Sequence, residues 1–345
     1  MGHKNKVSLR DQICAAYDNM LAIGESKNAG KAAGNVADKI YSWETYRSYL
    51  KHACYFADWV KEQPAPAELG HKVRTLDEAR RFVEPFLQSG IDRNLSPHSL
   101  KLQAAALAKL YHCKSTDFGV DLPSRARAKV TRSRGDKIRD KDFNEDLHQD
   151  LVTFCRCTGL RRSELEQIRG GDLREVDGRY YLEVTRGTKG GRPRTSPIVG
   201  SDEEVKAVVE QLRAAGSNKV YPYVNTHADV HGYRAEYATR IYNAHKRDLS
   251  TFKNERLVMY KNRVIDVYTS PGCRRAPFKH PEIYLPYAKE DGSPAFRPGY
   301  KDVPSAYYCQ KDLAKVCYDR LALLEASQAL GHNRECVVAG SYLRI

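Results

Sequence analysis

At 345 residues the chain is too long for one small module, and 41% hydrophobic residues are enough to fill ordinary cores, so wholesale disorder is excluded. No stretch approaches the ~20 consecutive apolar residues of a bilayer-spanning helix, and the polar start MGHKNK lacks the apolar region of a signal peptide, which disfavours membrane insertion and secretion. Lys and Arg number 57 against 43 Asp and Glu, and the formal net charge of +14 calls for an anionic partner, nucleic acid first.

Apolar spacing predicts helices through the first ~115 residues. One covers about 9 to 26. A second, at 42 to 63, sets Trp43, Tyr46, Leu50, Ala53, Cys54, Trp59 and Val60 along one broad face. Thr75 with Glu78 three positions later forms a capping box that opens a helix stopping near Gly90. Ser96-Pro97 supplies an N-cap and a proline at the first helical position, leading into LKLQAAALAKLYHC. These make a bundle of about four helices over residues 1 to 120. Residues 121 to 142 then form a basic linker whose core, SRARAKVTRSRGDKIRDK, has no amphipathic period. It reads equally as a solvated connection and as one that crosses a phosphate backbone through Arg125, Arg127, Lys129, Arg132 and Arg134.

From 143 the pattern mixes types. FNEDLHQDLVTFCRC predicts a helix, followed by a turn and a short helix. YYLEVTR and RTSPIV predict strands joined by the Gly-rich turn GTKGGRP. Another helix is expected at about 232 to 249. Residues 251 to 308, rich in Pro, Gly, Tyr and Arg, show no clear period, and KDLAKVCYDRLALLEASQAL predicts a long final helix. The fold class expected is mainly α with a small antiparallel β-sheet: a helical bundle followed by an α+β domain over 143 to 345 with an insertion at 251 to 308.

Nine scattered cysteines without a signal peptide read as reduced thiols of a cytoplasmic protein. Cys155 and Cys157 stand too close for the usual zinc-ligand spacing and lack a second pair, so small residues packed beneath a helix are expected rather than a metal site. There is no Gly-rich phosphate fingerprint, no HExxH and no GxSxG.

Five segments in order carry a sharper signal. Residues 158 to 165 read TGLRRSEL, 188 to 198 read TKGGRPRTSPI, 231 to 238 read HGYRAEYA, 330 to 332 read LGH, and Tyr342 follows ten positions after His332. Together they resemble the tyrosine recombinase (integrase) family over the whole C-terminal half, and the family places a helical core-binding bundle before that half. The resemblance implies Arg161, Lys189, His231, Arg234, His332 and Tyr342 as catalytic residues. Metal- and ATP-free exchange of phosphodiesters needs a nucleophile that stores the bond energy covalently, cations for the transition-state charge, and an acid for the leaving 5′ oxygen. Guanidinium forks suit the clamp because they bind phosphate oxygens bidentately and stay charged.

In the family pattern the arginine directly after TGL is the catalytic one, which favours Arg161 over Arg162; Glu164 is expected to buttress neighbouring backbone. A lysine in a Gly-flanked hairpin is ordinarily just solvated, but the resemblance makes Lys189 the general acid. Arg192 and Arg194 are expected as phosphate contacts or strand-surface charges. His231 precedes Arg234 by three and shares its helix face. The resemblance has both histidines holding the scissile phosphate, with His231 also assisting proton transfer from the phenol. Tyr342, one of 22 tyrosines, is singled out only by its place after LGH.

The pattern is departed from at Ala235, where the family often has a second histidine, and in the interval from His332 to Tyr342, one residue longer than the commonest spacing. Only three residues follow Tyr342, so the family's C-terminal exchange helix is expected to be missing. The insertion at 251 to 308 reads as a DNA contact, a protomer contact or surface decoration. What the resemblance implies as a whole is a site-specific recombinase, the integrase of a mobile element, clamping double-stranded DNA between its two domains without cofactor. It would cut and rejoin through a 3′-phosphotyrosine and act as a homotetramer on two duplexes, nucleoid-associated in the cytoplasm, with room for accessory DNA-bending proteins. The alternatives are a topoisomerase IB-like or resolvase-like strand transferase, or a catalytically inactive DNA-binding regulator of the same fold.

Overall fold

In a computed structural model of the chain, residues 7–125 except 35 and 37, 143–269 except 190, 280–289, 294–309, and 316–343 except 333 are described. The chain divides into two compact units, Met1–Thr131 and Arg132–Ile345. Arg127, Lys129, Arg132 and Arg134 of the expected basic linker lie outside the described residues, and Arg125 is exposed.

The first unit is a helical bundle of α1 (Leu9–Asp18), α2 (Lys27–Ala32), α3 (Trp43–Glu62), α4 (Leu76–Ala79), α5 (Val83–Asp92) and α6 (Pro97–Leu110). Its helices begin where side-chain oxygens can take up the free N–H groups of a first turn. Ser42 accepts from the Thr45 N–H, Ser96 from the Ser99 N–H, and Thr75 and Glu78 form the expected capping box. Two differences from expectation follow. The first helix stops at Asp18 instead of 26, and the segment after Thr75 is broken by a short 3₁₀ turn at Arg80–Phe82. The core is aromatic at its centre: the Phe56 ring meets Phe86 edge-on at 5.4 Å, and the buried Tyr17 hydroxyl donates to the Ala106 carbonyl.

The second unit opens with α7 (Gln149–Thr158) and the single turn α8 (Arg162–Leu165). Then come β1 (Leu173–Val176), β2 (Arg179–Val184) and β3 (Arg194–Pro197), which form one antiparallel sheet in that order. Helices α9 (Asp202–Ala215) and α10 (Val230–His245) follow. Cys155 and Cys157 are buried under α7 in the core with Leu160, Leu182 and Val208.

The aperiodic stretch is β-structure. Strands β4 (Glu255–Tyr260), β5 (Arg263–Thr269), β6 (Tyr284–Ala288), β7 (Pro294–Phe296), β8 (Tyr300–Pro304) and β9 (Ala306–Tyr308) cross it. They pair in small antiparallel sheets, β5-β4-β8 and β6-β7. The expected long final helix is shorter at its start: Cys317–Asp319 is a strand, β10, paired with β9, and α11 runs only from Arg320 to Ala329. A further helix, α12 (Glu335–Ser341), ends just before Tyr342. The mainly α class with small antiparallel sheets therefore describes this chain, with more strand than its sequence pattern announces.

Truncating Phe56 to Ala empties the centre of the first bundle and should cost about 3–5 kcal/mol. The check is denaturant unfolding followed separately for each unit, with the second unit's transition expected to stay where it is.

Candidate active site

Four chain segments bring the charged groups of the second unit together. After α7 the chain turns through Gly159 in the left-handed region (φ 58°), and a Cβ there would lie 2.2 Å from the Tyr237 ring, so the close approach needs glycine. This turn delivers Arg161 to the N-cap of α8. On the other side Gly187 lets the β2–β3 turn reach the α8 backbone: a Cβ would stand 2.1 Å from the Ser163 carbonyl oxygen, and the Ser163 hydroxyl donates to the Gly187 carbonyl.

Glu164, with no exposed surface, sits at the centre. Arg194 donates to both of its oxygens, at 2.7 and 2.8 Å; Arg161 donates to it from Nη1 and from its backbone N–H, each at 2.7 Å. Burial alone would raise the Glu164 carboxyl, but the Arg194 hydrogen bonds and charge, joined by Arg161, outweigh it and bring the pKa down to about 2. Glu164 is thus ionised at all working pH values.

Arg234 is the fifth residue of α10 and is 2% exposed. Its Nη1 and Nη2 donate to the Gly159 and Leu330 carbonyls, and its Nε lies 3.4 Å from the Tyr342 hydroxyl. Its nearest approach to Glu164 is 4.0 Å, so carbonyl dipoles bear most of its charge. Burial, which outweighs the opposing pull of Tyr342, lowers its pKa to about 10, still charged at neutrality.

His332 is carried on the turn after α11. Ser327 fixes that turn by donating its hydroxyl to the His332 carbonyl while accepting from the Arg334 N–H. The ring Nε2 lies 3.1 Å from the Tyr342 hydroxyl and 3.5 Å from Arg161 Nη2. Burial first, then the charges of Arg234, Arg161, Arg194 and Arg334, push His332 down to about 4, so it is neutral at pH 7. The Arg161 guanidinium can only donate, so the neutral ring fits this place with Nε2 as the acceptor. The phenol of Tyr342 is 6% exposed, with its ring 5.1 Å from that of His231 and the Arg234 guanidinium 5.6 Å from its centroid.

The structure therefore brings Arg234 and His332 to the Tyr342 hydroxyl, His231 against its ring, and Arg161 beside His332. Lys189 is exposed on the β2–β3 turn, and no contact joins it to that cluster among the described residues. Arg192 is exposed nearby. Arg194 is the correction. Expected at a phosphate or on the strand surface, it is nearly enclosed, with its guanidinium spent on Glu164 and its Nε on the Ala329 carbonyl. Arg162 holds the 224–228 segment through four carbonyls, those of Val224, Asn225, Thr226 and Ala228, just before Asp229 caps α10. That occupation leaves Arg161 as the one beside His332, its Nη2 3.5 Å from the ring Nε2. Ala235 is fully buried in the core below Tyr342.

No family model matches the chain, and no curated protein matches it. Among solved structures, similarity is found to XerH site-specific recombinase bound to a palindromic difH substrate as a post-cleavage complex, at 13% identity and a TM-score of 0.36, covering 69% of this chain and 83% of that one. The Tn1549 transposon integrase in complex with circular intermediate DNA gives 13% identity and a TM-score of 0.35, covering 68% and 87%. XerA recombinase gives 14% and 0.21, covering 69% and 86%. What the pocket can do rests on its own geometry. Three guanidiniums face one carboxylate and a neutral imidazole, leaving surplus positive charge beside a phenol whose proton has an acceptor within hydrogen-bonding distance.

Because the Glu164 carboxyl is held at about 2 against an unfolded value near 4.5, its contribution to stability is complete above pH 4.5 and is lost as pH falls toward 2. Acid titration of the second unit's unfolding should show that loss, and Glu164→Gln should flatten it. At pH 7 the same substitution should cost about 3–5 kcal/mol, since it leaves buried guanidiniums without their counter-charge.

Proposed function

We propose that the chain is a DNA strand-transferring enzyme of the tyrosine recombinase type, with Tyr342 as nucleophile. One observation carries this reading: the Tyr342 hydroxyl lies 3.1 Å from His332 Nε2 and 3.4 Å from a buried guanidinium, in a pocket with surplus positive charge. The order of the segments TGLRR, TKGG, HGYR and LGH before that tyrosine supports it, as does the chain's net charge of +14.

In the proposed reaction the scissile phosphodiester docks on Arg161 and Arg234, whose charge meets the negative charge growing on the phosphorus oxygens. His332 Nε2 takes the phenol proton. The Tyr342 oxygen forms its bond to phosphorus as the bond to the 5′ oxygen breaks, and that oxygen takes a proton from the Lys189 ammonium when the turn closes on DNA. A 5′ hydroxyl from the same or another duplex reverses the sequence, so the two phosphodiesters are exchanged at nearly equal energy. His332 thus acts on the proton, a part assigned by resemblance to His231; His231, packed on the phenol ring and exposed, is left to orient it and to meet the phosphate. Integration or excision of a mobile element, through a tetramer on paired duplexes, is the wider role this reading favours.

A nicked duplex carrying the protein's own site, taken from the DNA flanking its gene, tests the reading. The wild type should accumulate a covalent protein–DNA adduct that Tyr342→Phe abolishes while still binding. Arg161→Ala should slow its formation by about 10²–10³-fold, the usual cost of one transition-state donor. Binding without any adduct from the wild type points to a regulator, and adduct without exchange between duplexes points to a topoisomerase-like enzyme.

The pH dependence is distinctive. With His332 near 4 in the free protein, the adduct rate at limiting DNA should not fall between pH 8 and 5.5 and should drop only as pH approaches 4. A wild-type loss centred near pH ~6.5, the ordinary imidazole value, that persists in His231→Gln would remove His332 from the proton's path.

A further inference from the structure

A buried arginine helps tie the inserted β-structure to the helix that leads into Tyr342. Arg320, the first residue of α11, is 9% exposed and faces three ways. Its Nε donates to the Pro304 carbonyl at 2.7 Å, at the end of β8, and its backbone N–H donates to the Ser305 carbonyl at 2.8 Å. Its guanidinium lies 4.9 Å from the centroid of Tyr307, on β9. Its Nη1 donates to the carboxylate of Glu335, the first residue of α12.

The sheet side of this joint is itself held. Ser305 and Arg247 both donate to Glu255 on β4, at 2.6 and 2.8 Å, and Arg247 also donates to Asp319, which caps α11. Helix α12 is only seven residues long, and a helix so short has no stability of its own, so its placement depends on what grips it. Val338 and Ala339 are buried beneath it, and Glu335 anchors its start. Glu335 and Tyr342 are seven residues apart, close to two helical turns, so the anchor and the phenol lie on the same side of the helix axis.

We infer that the Arg320–Glu335 pair is a positioning device through which the inserted sheet sets where the Tyr342 hydroxyl stands against His332 and Arg234. Neither residue touches the reacting groups. Both act through α12, and the inference rests on reading Tyr342 as the nucleophile. It gives the stretch from Glu255 to Tyr308 a part in the reaction distinct from contact with DNA or with another protomer.

Two measurements on the full chain test it. In Glu335→Gln, which keeps the size and a hydrogen-bonding oxygen but removes the charge, adduct formation at saturating nicked duplex should slow about tenfold, less than the ~10²-fold that a 1 Å misplacement can cost because part of the grip is kept. The DNA concentration giving half-saturation should not change. Arg320→Lys, which keeps the charge but loses the fork, should fall between that variant and the wild type. An unchanged rate, or a fall in rate matched by a fall in affinity, overturns the proposal. Hydrogen exchange supplies the second reading and does not depend on adduct formation. In Glu335→Gln the amides of Val338 to Leu343 should exchange faster while those of Tyr237 to Tyr242 on α10 keep their protection. Unchanged protection on α12, or equal loss on both helices, overturns the positioning role even if the wild type forms no adduct.

Discussion

The charged pocket of the second unit depends on one buried carboxylate. Glu164 takes the forked guanidinium of Arg194 from β3 and that of Arg161 from its own turn, and Arg194 reaches on to the Ala329 carbonyl at the end of α11. Strand, turn and helix are thereby joined at a point without access to water, where an unpaired charge is costly and a satisfied one fixes geometry. The catalytic groups proposed here are attached to those three elements. Arg161 leaves the turn, His332 follows α11, and Arg234 lies across the carbonyls of Gly159 and Leu330 that flank them.

A single electrostatic arrangement serves two chemical needs. Burial first, and then the same surplus positive charge that suits a phosphodiester, holds His332 well below the ordinary imidazole value, and a neutral imidazole is what a phenol needs if it is to lose its proton at neutral pH. Acid–base assignment follows from field and burial together, not from the identity of the residue. For the same reason the two histidines beside the Tyr342 ring stand in different surroundings: His332 is half-buried among arginines, while His231 is exposed.

The long helices were legible because burial on one face writes a period into the chain, as in Trp43–Glu62, and because Ser96-Pro97 and Thr75 with Glu78 are start signals with a local mechanism. The strands from β4 to β8 were not. Leu257 and Met259 pack toward α11 while Val258 and Tyr268 pack toward Ile283 and Tyr284, so both faces are covered and no polar alternation survives. Cys317–Asp319 lies inside a helix-like pattern but becomes strand because Ala306–Tyr308 pairs with it, a long-range choice that local propensity does not record. Within the site, residue order located Tyr342 and the arginines. Arg194 departs from its surface expectation because it stands two residues from the buried Ser196 on the same strand, and so on the same inward face.

The same pocket has a thermodynamic consequence. Folding must push Arg161, Arg194 and Arg234 together with only one carboxylate among them, and it must strip water from Arg234 almost completely. Part of the native state's margin is spent holding like charges in place before any ligand arrives, and a bound anion would return it.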